Sequence, residues 1–375
     1  MTSTPFSPAD YSAAIRILRP LLIIVMCWAH IPILWGFLHP PVSVDVPVSV
    51  FGTFLRDTLS RGAVPLLTVI SGFLAFSSYR HKPYHRFIGD KVLRILLPFL
   101  LWNVIMLLYL QYLHHAFGTD IGGQIARLET SRDTLNAVIG YNRLPINAPT
   151  YFLRDLFLIL LCMPLLTLLT FQKHLAIGVT LLAGALSVTV LPLSISYGGH
   201  GILYRNDMPF FFLIGFVFAR HGFTLHHHPD WKAFAGVAIF VLSCAVAAFY
   251  LAEHKPHLFD YLRYRPLFGV VLVLALPYVA SFIAQHQTDW PLRTLGHLSR
   301  FSFTVFLSHM LVAYYLLAGL KDPLSLRLAE AQLSNFSPFW QQLLFVAFYT
   351  ALCMFFGVVI KLITDLASRA WRPGS

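Results

Sequence analysis

The chain has 375 residues, 57% hydrophobic and only 11% charged, with 33 Phe and a formal net charge of +11. A soluble protein of this length carries about a quarter charged residues, so a soluble enzyme is excluded. A nucleic-acid binder is excluded too, because the positive charge is not gathered into a basic domain; anionic lipid headgroups or a phosphorylated cofactor suit it better.

The apolar stretches predict an all-α integral membrane protein of about ten transmembrane helices in one bundle. In chain order they are 17–38, 52–78, 92–116, 151–171, 174–193, 208–220, 233–251, 265–285, 298–320 and 338–364. The first opens with Arg16 and Arg19 and carries His30. It is longer than a signal h-region and lacks a small-residue cleavage site, so it is expected to stay in the protein. The second has Arg56, Asp57 and Arg61 at its entry, and the sixth is short. The connection 114–149 is too small and turn-rich for a domain of its own, so residues 1–375 are expected to form a single unit. SSYRHKPYHRFIGDKVLR, before and into the third stretch, holds Arg80, Lys82, Arg86, Lys91 and Arg94. The positive-inside rule puts that segment in the cytoplasm. Both termini are then cytoplasmic, with Arg16 and Arg19 at one end and Arg369 and Arg372 at the other.

Ionisable residues inside spans are costly and usually face the bundle interior. Arg19 and His30 are eleven positions apart, almost three turns, which predicts one shared helix face and a separation of roughly 16 Å. The alternative is a snorkelling arginine and a hydrogen-bonded packing histidine. His309, in the ninth stretch, is either a second functional imidazole or one satisfied by a neighbouring helix. Ser71 and Gly72 favour close helix packing. Arg154 and Asp155 either line an acceptor entrance or satisfy each other, the second being preferred. Arg56, Asp57 and Arg61 pose the same question. Tyr141, Asn142, Arg143, Arg205, Asn206 and Asp207 fall in outer loops where a glycan could be met. Cys27, Cys162, Cys244 and Cys353 lack CxxC spacing and read as packing residues. His221, His226, His227 and His228 have no Cys or carboxylate partner at ligand spacing, so no metal is expected. Gly-rich phosphate loops, serine elbows and HExxH are absent from the sequence.

Arg19-x10-His30 resembles the arginine–histidine motif in the first span of the membrane-bound acyltransferase-3 family. Four further stretches resemble that family in order: LTVISGFLAF (67–76), FIGDKVLRILLPFLLW (87–102), PTYFLRDLFLIL (149–160) and SRFSFTVFLSHMLV (299–312). One departure is Lys91, where the family's basic pair usually has arginine; lysine keeps the charge and loses the planar fork. The resemblance implies an O-acyltransferase in the bacterial inner membrane that moves an acyl group, most often acetyl, from cytoplasmic acyl-CoA to a hydroxyl of an extracytoplasmic or lipid-linked glycan. It also implies that Arg16, Arg19, Lys91 and Arg94 hold the CoA phosphates, that Arg19 either polarises the thioester as a catalytic residue or, preferably, anchors CoA, and that His30 takes the hydroxyl proton or carries the acyl group. Ser71, His309, Arg154 and Asp155 would form a possible second site. The short chain suggests a core without a fused esterase-like domain. A lipid-linked sugar flippase is the rival, though the paired broken spans of two related halves are not evident. A glycosyltransferase would need an outer acid, for which only Asp45 and Asp57 are available.

Overall fold

The computed structural model describes residues 4–30, 59–118, 120, 124–141, 143–189, 203–227, 231–255, 267–319 and 338–370. Arg56, Asp57, Asn142 and His228 lie outside these. The described chain is helical, with one isolated bridge between Pro5 and His226. Its helices are α1 (Pro8–Trp28), α2 (Arg61–Tyr79), α3 (Tyr84–Phe117), α4 (Ser131–Ile139), α5 (Tyr151–Leu161), α6 (Met163–Leu169), α7 (Lys173–Thr189), α8 (Met208–Arg220), α9 (Trp231–His254), α10 (Leu267–His286), α11 (Trp290–Gly319) and α12 (Pro338–Ala370). Helix stands in each of the ten expected stretches. Among the described residues five helices are long and apolar enough to cross a membrane, or six if α5 and α6 count as one broken span.

Both boundaries of the first stretch differ from the hydropathy reading, and each has a local cause. α1 starts at Pro8 rather than near 17, because Ser7 and Asp10 form a reciprocal capping box and Pro8 occupies the first turn. Its opening turns are too polar for a hydropathy window, although Ala13 and Ala14 are buried. The same helix ends at Trp28, and Ala29 and His30 form a turn in which the His30 amide donates to the Cys27 carbonyl at 3.1 Å. Pro32 has no N–H for the Trp28 carbonyl, which favours a stop there. His30 is therefore past a helix end instead of on a continuous face with Arg19.

The third and fourth stretches are interrupted as well. α3 contains a π turn at Val92–Leu96, where the Leu97 amide donates to the Val92 carbonyl. Pro98 follows it and leaves the Arg94 carbonyl without its usual donor, and the wider turn accommodates that. α5 and α6 meet at 60°, two residues before Pro164, whose missing N–H and ring oppose a straight continuation.

Glycine sets the tightest helix pair. An ideal Cβ on Gly72 of α2 would lie 2.0 Å from the Phe212 carbonyl oxygen of α8. One on Gly215 of α8 would lie 1.9 Å from the Val69 oxygen of α2. The two backbones touch where both side chains are missing. α11 packs between α1 and α12, and Gly357 of α12 rests on the Val305 backbone. At the bundle end where α1 begins, the Phe6 amide donates to the Leu225 carbonyl and the His227 amide to the Thr4 carbonyl, both at 2.8 Å. Large apolar side chains such as Leu101, Leu108 and Tyr112 on α3 and Phe348 and Phe355 on α12 face outward, as lipid-facing helices require.

Candidate active site

A cavity of about 460 Å³ lies among α1, α2, α3, α5 and α11. Arg19, Ser71, Lys91 and Arg94 contribute its polar groups, and the rest of its wall is apolar and includes Phe152, Phe303 and Phe306. Residues 72 positions apart in the chain thus converge, with the π turn carrying Arg94 and the residue before it Lys91. Lys91 also stacks on Phe87, 4.9 Å from the ring centre. The lining contains three cations and no carboxylate. An anion with an apolar extension is the ligand this combination suits.

Arg16 is not among the lining residues. A Cβ on Gly296 would meet the Arg16 Nε at 3.6 Å, so that side chain lies against the start of α11. Ser71 lines the cavity, but its hydroxyl proton is donated to the Leu67 carbonyl at 2.7 Å. His30 is also absent from the lining.

His30 instead meets His309, their ring centres 5.2 Å apart and their planes at 46°. The His309 ring is fully buried on α11. One turn earlier, Phe306 walls the cavity and sits 6.4 Å from the His309 ring. Phe306 thus borders both the cationic cavity and the His309 ring. Three side chains from three other segments grip α11 here. Asn147 Nδ2 donates to the Leu307 carbonyl at 3.0 Å, Tyr349 Oη to the His309 carbonyl at 3.4 Å, and Tyr109 Oη to the Leu311 carbonyl at 3.1 Å. Asn147 is itself held, its amide N–H donating to Asn103 Oδ1 at 2.9 Å while Asn103 Nδ2 donates to Thr150 Oγ1 at 3.0 Å.

Arg154 and Asp155 belong elsewhere. Asp155 is buried and accepts from Arg154 at 2.7 Å and from the Tyr204 and Arg205 amides at 2.8 and 3.1 Å. The Arg154 guanidinium also covers the Tyr204 ring. Burial pushes the Tyr204 phenol up to about 12, so it stays a neutral donor to the Gly140 carbonyl at 3.2 Å. Arg205 pairs with Asp207. This is a knot that ties the start of α5 to the segment before α8. The histidines at the other end have local partners: His221 meets the Thr170 carbonyl and His227 meets Asp10.

Sequence reasoning missed Asn103, Asn147, Tyr109, Tyr349 and Phe306. Asn103 alone had a readable signal, a primary amide inside an apolar stretch. The others acquire meaning only through the carbonyls and ring they face.

A helical bundle with membrane-length apolar helices is a multi-pass membrane protein, here with a cationic cavity within the bundle. Residues 12–362 match the acyltransferase-3 family, described as an acyltransferase domain, and the chain belongs to that family. It is similar to the succinoglycan biosynthesis protein ExoH of Rhizobium meliloti (strain 1021), 29% identical over 323 residues that cover 82% of this chain and 81% of that protein. No solved structure matches the chain.

Proposed function

We propose that the protein is a membrane O-acyltransferase that moves an acyl group, acetyl in the first instance, from acyl-CoA on the cytoplasmic side to a hydroxyl of an extracytoplasmic or lipid-linked glycan. The observation that carries this is the meeting of Arg19, Lys91 and Arg94 at one cavity whose remaining wall is apolar. CoA has anionic phosphates at one end and a long, mostly neutral arm ending in the thioester. The cations would hold the phosphates, and the arm would run along the apolar wall towards Phe306 and the imidazoles beyond it. A glycan acceptor accords with the similarity to a protein of succinoglycan biosynthesis. The dense basic segment around α3 favours a cytoplasmic donor side, and the ten helical stretches favour cytoplasmic termini.

In the proposed chemistry a neutral His30 takes the proton of the acceptor hydroxyl as the oxygen attacks the thioester carbonyl. The C–S bond breaks, the new C–O bond forms, and the imidazolium returns the proton to the leaving sulfur. A covalent acyl-His30 intermediate gives the same products in two steps. Arg19 is read as an anchor for CoA because it lines the cavity and His30 does not.

The test is transfer from radiolabelled acetyl-CoA in inverted membrane vesicles, comparing wild type, His30→Ala and Arg19→Ala at matched expression. Label is expected in a glycan fraction with wild type, lost with His30→Ala, and restored partly by high acetyl-CoA with Arg19→Ala. No consumption of acetyl-CoA or succinyl-CoA, together with no CoA binding, would sink the enzyme reading in favour of a flippase.

A further inference from the structure

We propose that His309 is a positioning residue that fixes the tautomer of His30, so that the two imidazoles work as a pair. This rests on the reading of His30 as the base. His309 Nδ1 lies 2.7 Å from the Phe306 carbonyl oxygen. A carbonyl only accepts, so the ring proton belongs on Nδ1 and a neutral His309 presents Nε2 as a bare lone pair. Nε2 is buried with no hydrogen-bond partner among the described residues. An unpartnered acceptor in such a place is costly, and the His30 ring lies 5.2 Å from the His309 ring, centre to centre.

The two histidines are held very differently. His309 is immobilised, because Asn147, Tyr349 and Tyr109 each grip a carbonyl within two residues of it. Those carbonyls sit inside a helix and have intrahelical donors, so the extra bonds act chiefly on where the helix lies. His30 sits in the turn after α1 and is only half-buried. An N–H···N bond brings the two nitrogens to about 3 Å, a closure that the present ring separation leaves to a modest rotation of His30. Catalytic hydrogen bonds are often long before substrate arrives.

Once His30 donates its single N–H to His309 Nε2, its other nitrogen must be the lone pair. That is the nitrogen a general base turns to the acceptor hydroxyl. After proton transfer His30 carries two N–H groups, one still directed at His309 and the other available to the departing CoA sulfur. The wrong tautomer would aim an N–H at the hydroxyl and be unproductive. An aspartate does this orienting task in serine hydrolases; here a neutral imidazole would do it without placing a second charge in the bundle.

The experiment compares His309→Ala and His309→Gln with wild type, using radiolabelled acetyl-CoA in inverted vesicles and thermal unfolding in detergent. Glutamine offers an acceptor oxygen where Nε2 stood. A positioning role predicts a fall in kcat of about 100-fold for His309→Ala with the KM for acetyl-CoA within about twofold of wild type, and about a tenfold recovery with His309→Gln. Unchanged kcat, or loss of kcat in step with loss of stability and no benefit from glutamine, overturns the proposal. If wild type consumes neither acetyl-CoA nor succinyl-CoA and binds no CoA, the base reading fails separately, and ¹⁵N-histidine NMR of the purified protein then decides the pairing. His309 protonated on Nδ1, with its Nε2 resonance moved by His30→Ala, supports it; protonation on Nε2, or no movement, overturns it.

Discussion

Replacing Gly72 with alanine tests both the packing of α2 on α8 and its link to the cavity. The added Cβ would lie 2.0 Å from the Phe212 oxygen, 2.9 Å from its carbon and 3.0 Å from the Phe216 nitrogen. All three are backbone atoms, so no side-chain rotation relieves the clash, and the helices must part by about 1.5 Å to reach ordinary contact. Overpacking of this kind costs about 1–3 kcal/mol, and the backbone contact argues for the upper part of that range, an apparent Tm lower by about 5 °C or more. Because Ser71, Leu74 and Ala75 on the same helix line the cavity, the KM for acetyl-CoA should rise as well. Gly89→Ala is the control: its Cβ meets nothing within 4 Å, and alanine in a helix gains up to about 1 kcal/mol over glycine. Gly72→Ala with Gly215→Ala should be less harmful than the sum of the two, since one displacement makes room for both. The assay is thermal unfolding in detergent followed by fluorescence-detected size exclusion, with donor kinetics on the same preparations. A Gly72→Ala protein with wild-type Tm and KM would refute the close-packing argument.

Three other substitutions have definite expectations. Lys91→Arg restores a planar fork and should lower the KM for acetyl-CoA several-fold, whereas Lys91→Ala should raise it and weaken the salt dependence of binding measured by titration. Asp155→Asn unpairs Arg154 in a buried knot and should cost about 3–5 kcal/mol, read as a drop in Tm, while protein that remains folded keeps its KM for acetyl-CoA. Asn147→Ala frees the Leu307 carbonyl from its extra donor and should lower kcat with little change in KM, a split that steady-state kinetics in vesicles resolves.

Length and hydropathy were enough to locate helix in every expected stretch, because burial in lipid demands long apolar helices whatever their arrangement. Where helices begin and break depends on caps and prolines that hydropathy averages away, as Ser7–Asp10, the π turn before Pro98 and the bend before Pro164 demonstrate. The cationic cavity was half legible. Arg19, Lys91 and Arg94 stood out as charges in apolar surroundings, and the structure gathers them with Ser71 at one cavity. Arg16 had the same signature and lies against Gly296 instead, because three residues along a helix turn a side chain far enough to face a different neighbour. The partnership of His30 with His309 was not legible: 279 positions separate them, and the sequence pairs His30 with Arg19 instead.

Phe306 gives the two halves of the site a common boundary. Its ring belongs to the cavity wall, its carbonyl takes the His309 Nδ1 proton, and its neighbour Leu307 is the residue Asn147 holds. In the proposed function the cationic pocket would meet a phosphorylated donor and the imidazole pair a hydroxyl acceptor, which need opposite surroundings, the first polar at its mouth and the second dry. In the proposed reaction an aromatic ring beside both would help keep donor-side water from the imidazoles. In the proposed reaction the acyl end must pass that ring. Phe306→Ala should therefore separate the two functions: the wall opens, acetyl-CoA hydrolysis by water rises relative to glycan transfer, and donor KM changes little. Hydrolysis measured as free CoA release without acceptor gives the result directly. If release stays at the wild-type level while transfer falls, Phe306 supports packing only, and the acyl group takes another path to His30.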